Sequence, residues 1–308
     1  MNTHDLQAFV AVVESESMVR ASEKLFLTQP GLTRRVQNLE KMLGVELLDR
    51  QSKPLKPTAA GNEVYALART VLRAVDDLMA VASPDNEPTG EFNIGVPPFL
   101  SELALEQPID RLRAAFPKLT LRVTAGWSPG LLQNVERGKV DAAIVLLPDA
   151  AVIPEGLTST LLAHKPTVVV APRALGLADK SATLAELSEH PWVLNQDGCG
   201  MRSALSRAMV TAGLPFHVAV EAFGSELQLS LVARGLGVGL AAPEVLARSP
   251  HHEALQIVDV PEFRSGLNVW LVHGALPSRL VRPVALIQDA LTDELKKDAA
   301  ARPGDRTS

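Results

Sequence analysis

One short stretch of the chain groups residue types that can read the edges of nucleic-acid bases. At 100° per residue, Pro30, Thr33, Arg34, Gln37 and Lys41 spread over about 100° of one helix side, with no acid among them. Leu32, Val36, Leu39 and Leu43 fall within about 60° of each other on the opposite side. Arginine bonds guanine bidentately, glutamine suits adenine, and threonine meets polar edges or a thymine methyl. A helix in a major groove reads bases with its N-terminal residues, here Gln29, Pro30, Thr33 and Arg34. Arg35 and Asn38 flank this side, within reach of phosphates. Arg50, Lys53 and Lys56, interrupted by Pro54 and Pro57, suggest a basic hairpin that touches backbone or minor groove. Periodicity alone leaves a second reading open, a helical bundle with a solvated polar face.

Other reactive residue types are sparse. Cys199, the only cysteine, lies between Gly198 and Gly200 just before an expected helix. A helix N-terminus lowers a thiol pKa, so a reactive thiolate is one reading and a small pocket-lining residue the other. No second cysteine exists to resolve an oxidised one. His251-His252 stands without a carboxylate or third ligand at metal spacing and reads as surface loop. Gly235-x-Gly237-x-Gly239 follows a helix and precedes a strand, the reverse of a dinucleotide fingerprint. No enzyme and no cofactor are expected.

The elements that must position the base-reading side follow from local pattern. Leu6, Phe9, Val10 and Val13 mark a first helix. Ser17 caps a short second one carrying Ala21 and Leu25, and Thr28 caps the third, which tolerates Pro30 in its first turn and stops at Gly44. Val45–Leu48 is expected as a short strand. Thr58 caps a long helix to about Ala82, with Val64, Leu67, Ala68, Val71, Val75 and Leu78 as a narrow apolar seam. Such a seam suits a coiled coil between two chains, although a helix lying on its own domain would also fit. Ser83–Gly90 is polar and proline-rich, a hinge.

From Phe92 onward strands and helices alternate. Strands at Phe92–Val96, Leu119–Thr124 and Asp141–Val145, with a helix to Phe116 and another at Leu131–Arg137, predict a parallel sheet with right-handed crossovers. Strands at Leu157–Leu162 and Thr167–Ala171 lead into a second lobe. That lobe has a helix at Met201–Ala212, a strand at 217–221, a helix at 225–234 and a strand at Val238–Leu240. A strand at Leu267–Val272 and a helix at 280–297 return to the first lobe.

The chain has 308 residues, 46% hydrophobic and 21% charged, enough to bury a sizeable core. Residues 1–58 hold eight Lys/Arg and seven Asp/Glu, so bulk charge does not announce nucleic-acid binding. Between 34 and 56, however, six basic residues face three acids. No apolar run is long enough for a membrane span, the N-terminus lacks a signal-peptide pattern, and the chain reads as cytoplasmic.

Leu6-Gln7-Ala8-Phe9-Val10-Ala11-Val12, Ala21-Ser22-Glu23-Lys24-Leu25, Thr28 to Glu40, Leu43-Gly44-Val45 and Thr58-Ala59-Ala60-Gly61 stand in order and at intact spacing. Together they resemble the signature of LysR-type transcription regulators. Met18 and Val19 depart from it, where relatives carry an aromatic and a hydroxyl residue, and Leu48 replaces a usual Phe. The resemblance implies an α plus α/β architecture: a winged helix-turn-helix over 1–58, a dimerising linker helix over 59–82 and a hinge at 83–90. A two-lobed effector domain over 91–300, similar to periplasmic binding proteins, would follow. Its first lobe would take 91–163 and 266–300, its second 164–265, with 301–308 a disordered tail.

DNA contacts are then expected from Thr28, Gln29, Pro30, Thr33, Arg34, Arg35, Gln37 and Asn38, and from Arg50 and Lys53 in the wing. The effector would sit between the lobes against Phe99, Ser101, Trp127, Ser128, Leu147, Gly198, Cys199, Met201 and Phe223. Helix N-termini at 101, 128 and 201 would favour a carboxylate, and the apolar lining an aromatic acid. Family habit implies promoter DNA, a second copy, tetramers and RNA polymerase as partners. The alternatives are a thiol-based redox regulator acting through Cys199, and a small-molecule binder whose N-terminal helices serve only assembly.

Overall fold

The computed structural model describes residues 2–81, 87–101, 105–149, 151–176 and 181–300, which form two compact units. The end of the long helix at Ala82, most of the hinge and the 301–308 tail lie outside the described residues.

In the N-terminal unit α1 (Thr3–Ser15) begins where the Asn2 side chain accepts the His4 amide, and α2 (Met18–Lys24) where Ser17 accepts that of Arg20. Thr28 opens α3 (Gln29–Leu43) by accepting the Gly31 amide at 3.3 Å, and Gly44 ends it in the left-handed region at φ 71°. Leu6, Phe9, Val12, Ala21, Leu32, Val36 and Leu39 make the core. Leu43, expected on the buried side of α3, is 41% exposed because the helix ends there.

The expected strand at Val45–Leu48 shifts. The wing strands are β1 (Leu48–Asp49) and β2 (Lys56–Pro57), paired antiparallel. The amides of Leu47 and Leu48 turn to a carboxylate on α3, which holds the approach to β1 out of any ladder. Thr58 Oγ1 accepts the Gly61 amide at 2.9 Å and starts α4 (Ala59–Val81). Tyr65 and Ala68 of α4 are buried in the same core.

The C-terminal unit opens with β3 (Gly90–Val96), α5 (Pro98–Ser101), α6 (Glu106–Ala115), β4 (Leu119–Ala125), α7 (Ser128–Glu136) and β5 (Ala142–Pro148). β3 pairs in parallel with both β4 and β5, the arrangement expected of right-handed crossovers. The single helix expected before Phe116 is instead two helices, α5 and α6. β6 (Thr158–Pro172), α8 (Leu184–Ser188), β7 (Trp192–Asn195), α9 (Gly200–Thr211), β8 (Val218–Ala222) and α10 (Ser225–Ala233) follow. The chain then adds β9 (Gly239–Ala241), α11 (Pro243–Arg248), β10 (Leu255–Val258), β11 (Ser265–His273) and α12 (Ser278–Ala300).

The two strands expected at Leu157–Leu162 and Thr167–Ala171 are one strand, β6. Pro166 lies inside it, since its fixed φ suits extended backbone and only one ladder donor is lost. Thr158–Thr167 pair with β11, while Val168–Pro172 pair with β9 and β10. β6 thus runs out of the sheet of one lobe into that of the other. Its Lys165, only 3% exposed, bonds Glu244 of α11 at 2.7 Å. Among the described residues no helix is long and apolar enough to cross a membrane.

Candidate functional site

The α3 face expected to read bases is open. Thr28, Gln29, Pro30, Arg34, Gln37 and Asn38 are exposed, and Thr33 and Arg35 half-buried. Leu32, Val36 and Leu39 on the other side are fully buried, so rotation of the helix about its axis is fixed by the core. The Thr33 hydroxyl donates to Gln29 O at 2.9 Å, which leaves its lone pairs and methyl for a base. Phe26, in the turn before α3, is 97% exposed at φ 53°, a left-handed backbone that an aromatic residue adopts at a cost.

The wing is tied to this helix by Glu40, a residue that sequence reasoning passed over. Its Oε1 accepts the amides of Leu47 at 2.9 Å and Leu48 at 3.4 Å, and its Oε2 accepts Arg50 Nη2 at 2.8 Å. Arg50, expected as a wing contact, is 56% exposed in this ion pair, so it braces the wing as well as charging it. Lys53 and Lys56 are exposed beside it. Glu40 follows the apolar stripe by one residue, but its partners lie seven to ten residues on, and no local period signals such a contact.

The second candidate site is a cleft in the C-terminal unit. Trp127, Ser128, Leu146, Asn195, Cys199, Gly200, Met201, Gly224, Ser225, Gln228, Leu240 and Leu267 line it with Pro97, Pro98, Ala241 and Ala242. No charged residue is among them. Three helices, α7, α9 and α10, begin here at Ser128, Gly200 and Ser225. The α7 and α10 termini have no side-chain cap.

The Ser128, Asn195 and Gln228 side chains of the cleft are occupied in holding these elements. Ser128 Oγ exchanges hydrogen bonds with both backbone atoms of Leu146, at 3.0 and 2.9 Å. Asn195 accepts the Gly224 amide at 2.9 Å and donates to Gln228 Oε1, whose Nε2 donates to Leu240 O at 2.8 Å. Trp127 Nε1 is buried with no partner among the described residues. What the cleft leaves over is mainly donors, namely backbone amides at the helix starts and one indole N–H, beside the Ser225 hydroxyl, which can donate or accept. The enclosed space is about 30 Å³, room for one or two waters.

The residues expected around the effector divide. Trp127, Ser128, Cys199 and Met201 line the cleft. Leu147 does not: strand side chains alternate, and Leu146 faces the cleft while Leu147 packs with Leu131 and Val272 on the other face of β5. Gly198, at φ 95°, lies behind the lining, where a Cβ would sit 2.9 Å from Trp127 Cβ. Phe223 is 52% exposed and meets the Trp127 ring edge-on at 5.7 Å, supporting it from outside. The side chains of Phe99 and Ser101 lie outside those described. Position 101 ends α5 rather than starting a helix, so no N-terminus stands there. The apolar acid expected earlier does not fit a space this small unless the lobes part.

Cys199 is the N-cap of α9. Burial pushes its thiol above the usual value, against a smaller opposite pull from the Met201 and Arg202 amides that face the sulfur. A buried, protonated thiol is a poor nucleophile. His251-His252 belongs to no group of metal-ligating side chains among the described residues.

Comparison with known proteins agrees with this architecture. Residues 3–62 match the family described as bacterial regulatory helix-turn-helix protein, lysR family, and residues 85–288 the LysR substrate binding domain. The HTH-type transcriptional regulator IlvR of Caulobacter vibrioides is 29% identical over 90% of this chain and 95% of its own. A hydrogen peroxide-inducible genes activator of Dickeya chrysanthemi is 30% identical over 78% of each. Among solved structures, a full-length OxyR variant from Pseudomonas aeruginosa superposes with a TM-score of 0.76 at 20% identity, covering 95% of this chain and 98% of that one. Full-length CbnR complexed with its target DNA superposes at 0.59 and 22% identity, over 94% and 100%. The chain belongs to the LysR family of bacterial helix-turn-helix regulatory proteins.

Proposed function

We propose that the protein is a promoter-binding transcription regulator whose dimer reads DNA through α3 and the β1–β2 wing, under control of a small anionic or acceptor ligand in the C-terminal cleft. The observation that supports DNA reading most directly is α3 itself: three leucine and valine side chains fully buried, and opposite them an exposed, acid-free side with Gln29, Thr33, Arg34 and Gln37. Gln29, Pro30, Thr33, Arg34 and Gln37 take the base-contact roles. Thr28, Arg35, Asn38, Arg50 and Lys53 hold phosphates. The exposed α4 residues Leu67, Val71 and Leu78 supply the seam for a second copy.

The cleft offers mainly donors where helices begin, with the Ser225 hydroxyl able to donate as well, which suits a carboxylate or a comparably small anion. A ligand of this kind would favour one lobe arrangement and so shift the population of DNA-binding states. The similarity to peroxide-responsive activators raises a second reading, thiol sensing. The buried, raised thiol of Cys199 and the absence of a second cysteine weigh against it.

The test is fluorescence anisotropy of the full chain on duplexes from the promoter regions flanking its own gene. Specific retention is expected, with Arg34→Ala weakening it by about 1–3 kcal/mol and relaxing sequence preference at one base. Lys53→Ala is expected to weaken all duplexes alike and to lower the salt slope by about one. Equal binding of unrelated duplexes, unchanged by Arg34→Ala, would leave the N-terminal helices as an assembly module.

A further inference from the structure

The helix that carries the dimer seam is bolted to the reading head on a different face. On α4, Tyr65 and Ala68 are 5% and 2% exposed and Leu72 packs against the same core. These three span about 60° at 100° per residue, and Leu67, Val71 and Leu78 span about 40°, centred about 110° away. Any rolling of α4 against α1 therefore turns the seam relative to α3. Two helix–helix interfaces, α3 on α1 and α1 on α4, put α3 at most about 18 Å from the α4 axis. Ten degrees of play at that radius moves α3 by up to about 3 Å, comparable to the 3.4 Å step of one base pair.

A polar cluster blocks that movement. Glu14 of α1 receives Lys24 Nζ of α2 at 2.8 Å on one carboxylate oxygen. On the other it receives Arg69 Nη1 and the Tyr65 hydroxyl of α4, both at 3.4 Å. Arg69 also donates to the Tyr65 hydroxyl at 3.1 Å and stands 5.9 Å over the centre of its ring. Arg69 is 15% exposed and Glu14 30%, so the cluster is sheltered at the junction of the three helices. Apolar packing of Tyr65, Ala68 and Leu72 sets the distance between α1 and α4, Thr58 ties the start of α4 to residues 46 and 47, and the Glu14 bonds are the directional contacts that oppose sliding and roll between α1 and α4 further along the helix.

We propose that Glu14 is a positioning residue that, through Lys24, Arg69 and Tyr65, fixes the separation of the two DNA half-sites that a dimer can read. The proposal rests on the dimeric DNA-reading function proposed above. The test uses full-length protein and duplexes selected by the wild type from a random library, each then rebuilt with one or two base pairs added or removed between half-sites. Wild-type affinity is expected to fall about tenfold for one added or removed pair, a loss of about 1.4 kcal/mol. Glu14→Gln and, separately, Arg69→Met should flatten this to about threefold or less. Binding to a single half-site and the melting temperature should stay near wild type, which a mere loss of folding would not allow. Spacing profiles of both variants that parallel the wild type overturn the proposal, even when overall affinity drops. A wild type that selects no duplex overturns the function on which it rests, and this inference with it.

Discussion

Replacing Glu40 separates the wing's attachment from its charge. Its side chain is only 11% exposed and accepts three donors. Two of these are amides of Leu47 and Leu48, residues 0% and 4% exposed. Glu40→Leu strands both amides without an acceptor, at about 1–3 kcal/mol each. The 3.4 Å bond to Leu48 is the weaker, so a local loss of about 2–4 kcal/mol is expected. Glu40→Gln keeps an acceptor oxygen for both amides and loses the charge and the hydrogen bond toward Arg50, whose exposed side chain can turn to solvent. Because Arg50 is 56% exposed, that ion pair contributes under about 1 kcal/mol.

The two variants should therefore part company in hydrogen–deuterium exchange. Residues 45–58 lose protection in Glu40→Leu and keep nearly all of it in Glu40→Gln. On DNA, Glu40→Leu should lose about tenfold in affinity, since Arg50 and Lys53 no longer stand at fixed positions beside α3. The reasoning fails if Glu40→Leu exchanges like the wild type, or if Glu40→Gln loosens the wing as much as leucine does.

Lys165→Met should lower the melting temperature of the C-terminal unit by about 6–20 °C, from about 3–5 kcal/mol for a buried Glu244 left without its partner. Calorimetry of Lys165→Met with Glu244→Met should recover most of that loss, and a single variant melting with the wild type would show that the pair contributes nothing. For Cys199, alkylation by iodoacetamide should stay slow through the ordinary thiol range and quicken only at more alkaline pH or on unfolding, because burial raises the folded pKa. The linked stability is present below the unfolded thiol's pKa and is lost as pH rises through the folded one, as with Tyr65, also raised mainly by burial. Cys199→Ser should remove its share of that alkaline decline. A rapidly alkylated native protein at neutral pH would contradict the buried position.

The N-terminal unit was legible because its determinants are local. Thr28, Pro30 and Gly44 bound α3 by capping chemistry, and a 3.6-residue period decides which of its faces is buried. Fold class in the C-terminal unit was legible for a similar reason, from alternating strands and helices. Particular residues there were not. β6 reads as two strands because Pro166 breaks the pattern, yet pairing with β11 and β10 on either side of that residue holds it in one line. Leu147 was one residue out of phase, and in a strand one residue is the whole difference between a cleft and the opposite face.

The chemistry of the cleft was hidden for a different reason. Most of its free groups are backbone amides, and no residue letter marks an amide as free. The nearest signal in sequence is a helix start that lacks a capping side chain. The helices opened by Asn2, Ser17, Thr28 and Thr183 have their first amides taken by those side chains, and none of these residues lines the cleft. The three helices that open on it have no side-chain oxygen at their starts: α7 and α10 follow Trp127 and Gly224, whose side chains cannot accept, and α9 follows a buried sulfur. A missing cap is not sufficient, since α6 starts uncapped after Leu105 away from the cleft. What distinguishes the cleft is convergence. Ser128 holds the α7 start to β5, Asn195 and Gln228 hold the α10 start to β7 and β9, the α9 start shares their lining, and the donors gather without any cation to neutralise a ligand. Recognition by neutral donors limits the charge a ligand can bring into so small a space, which points to a single small anion rather than a di- or tricarboxylate.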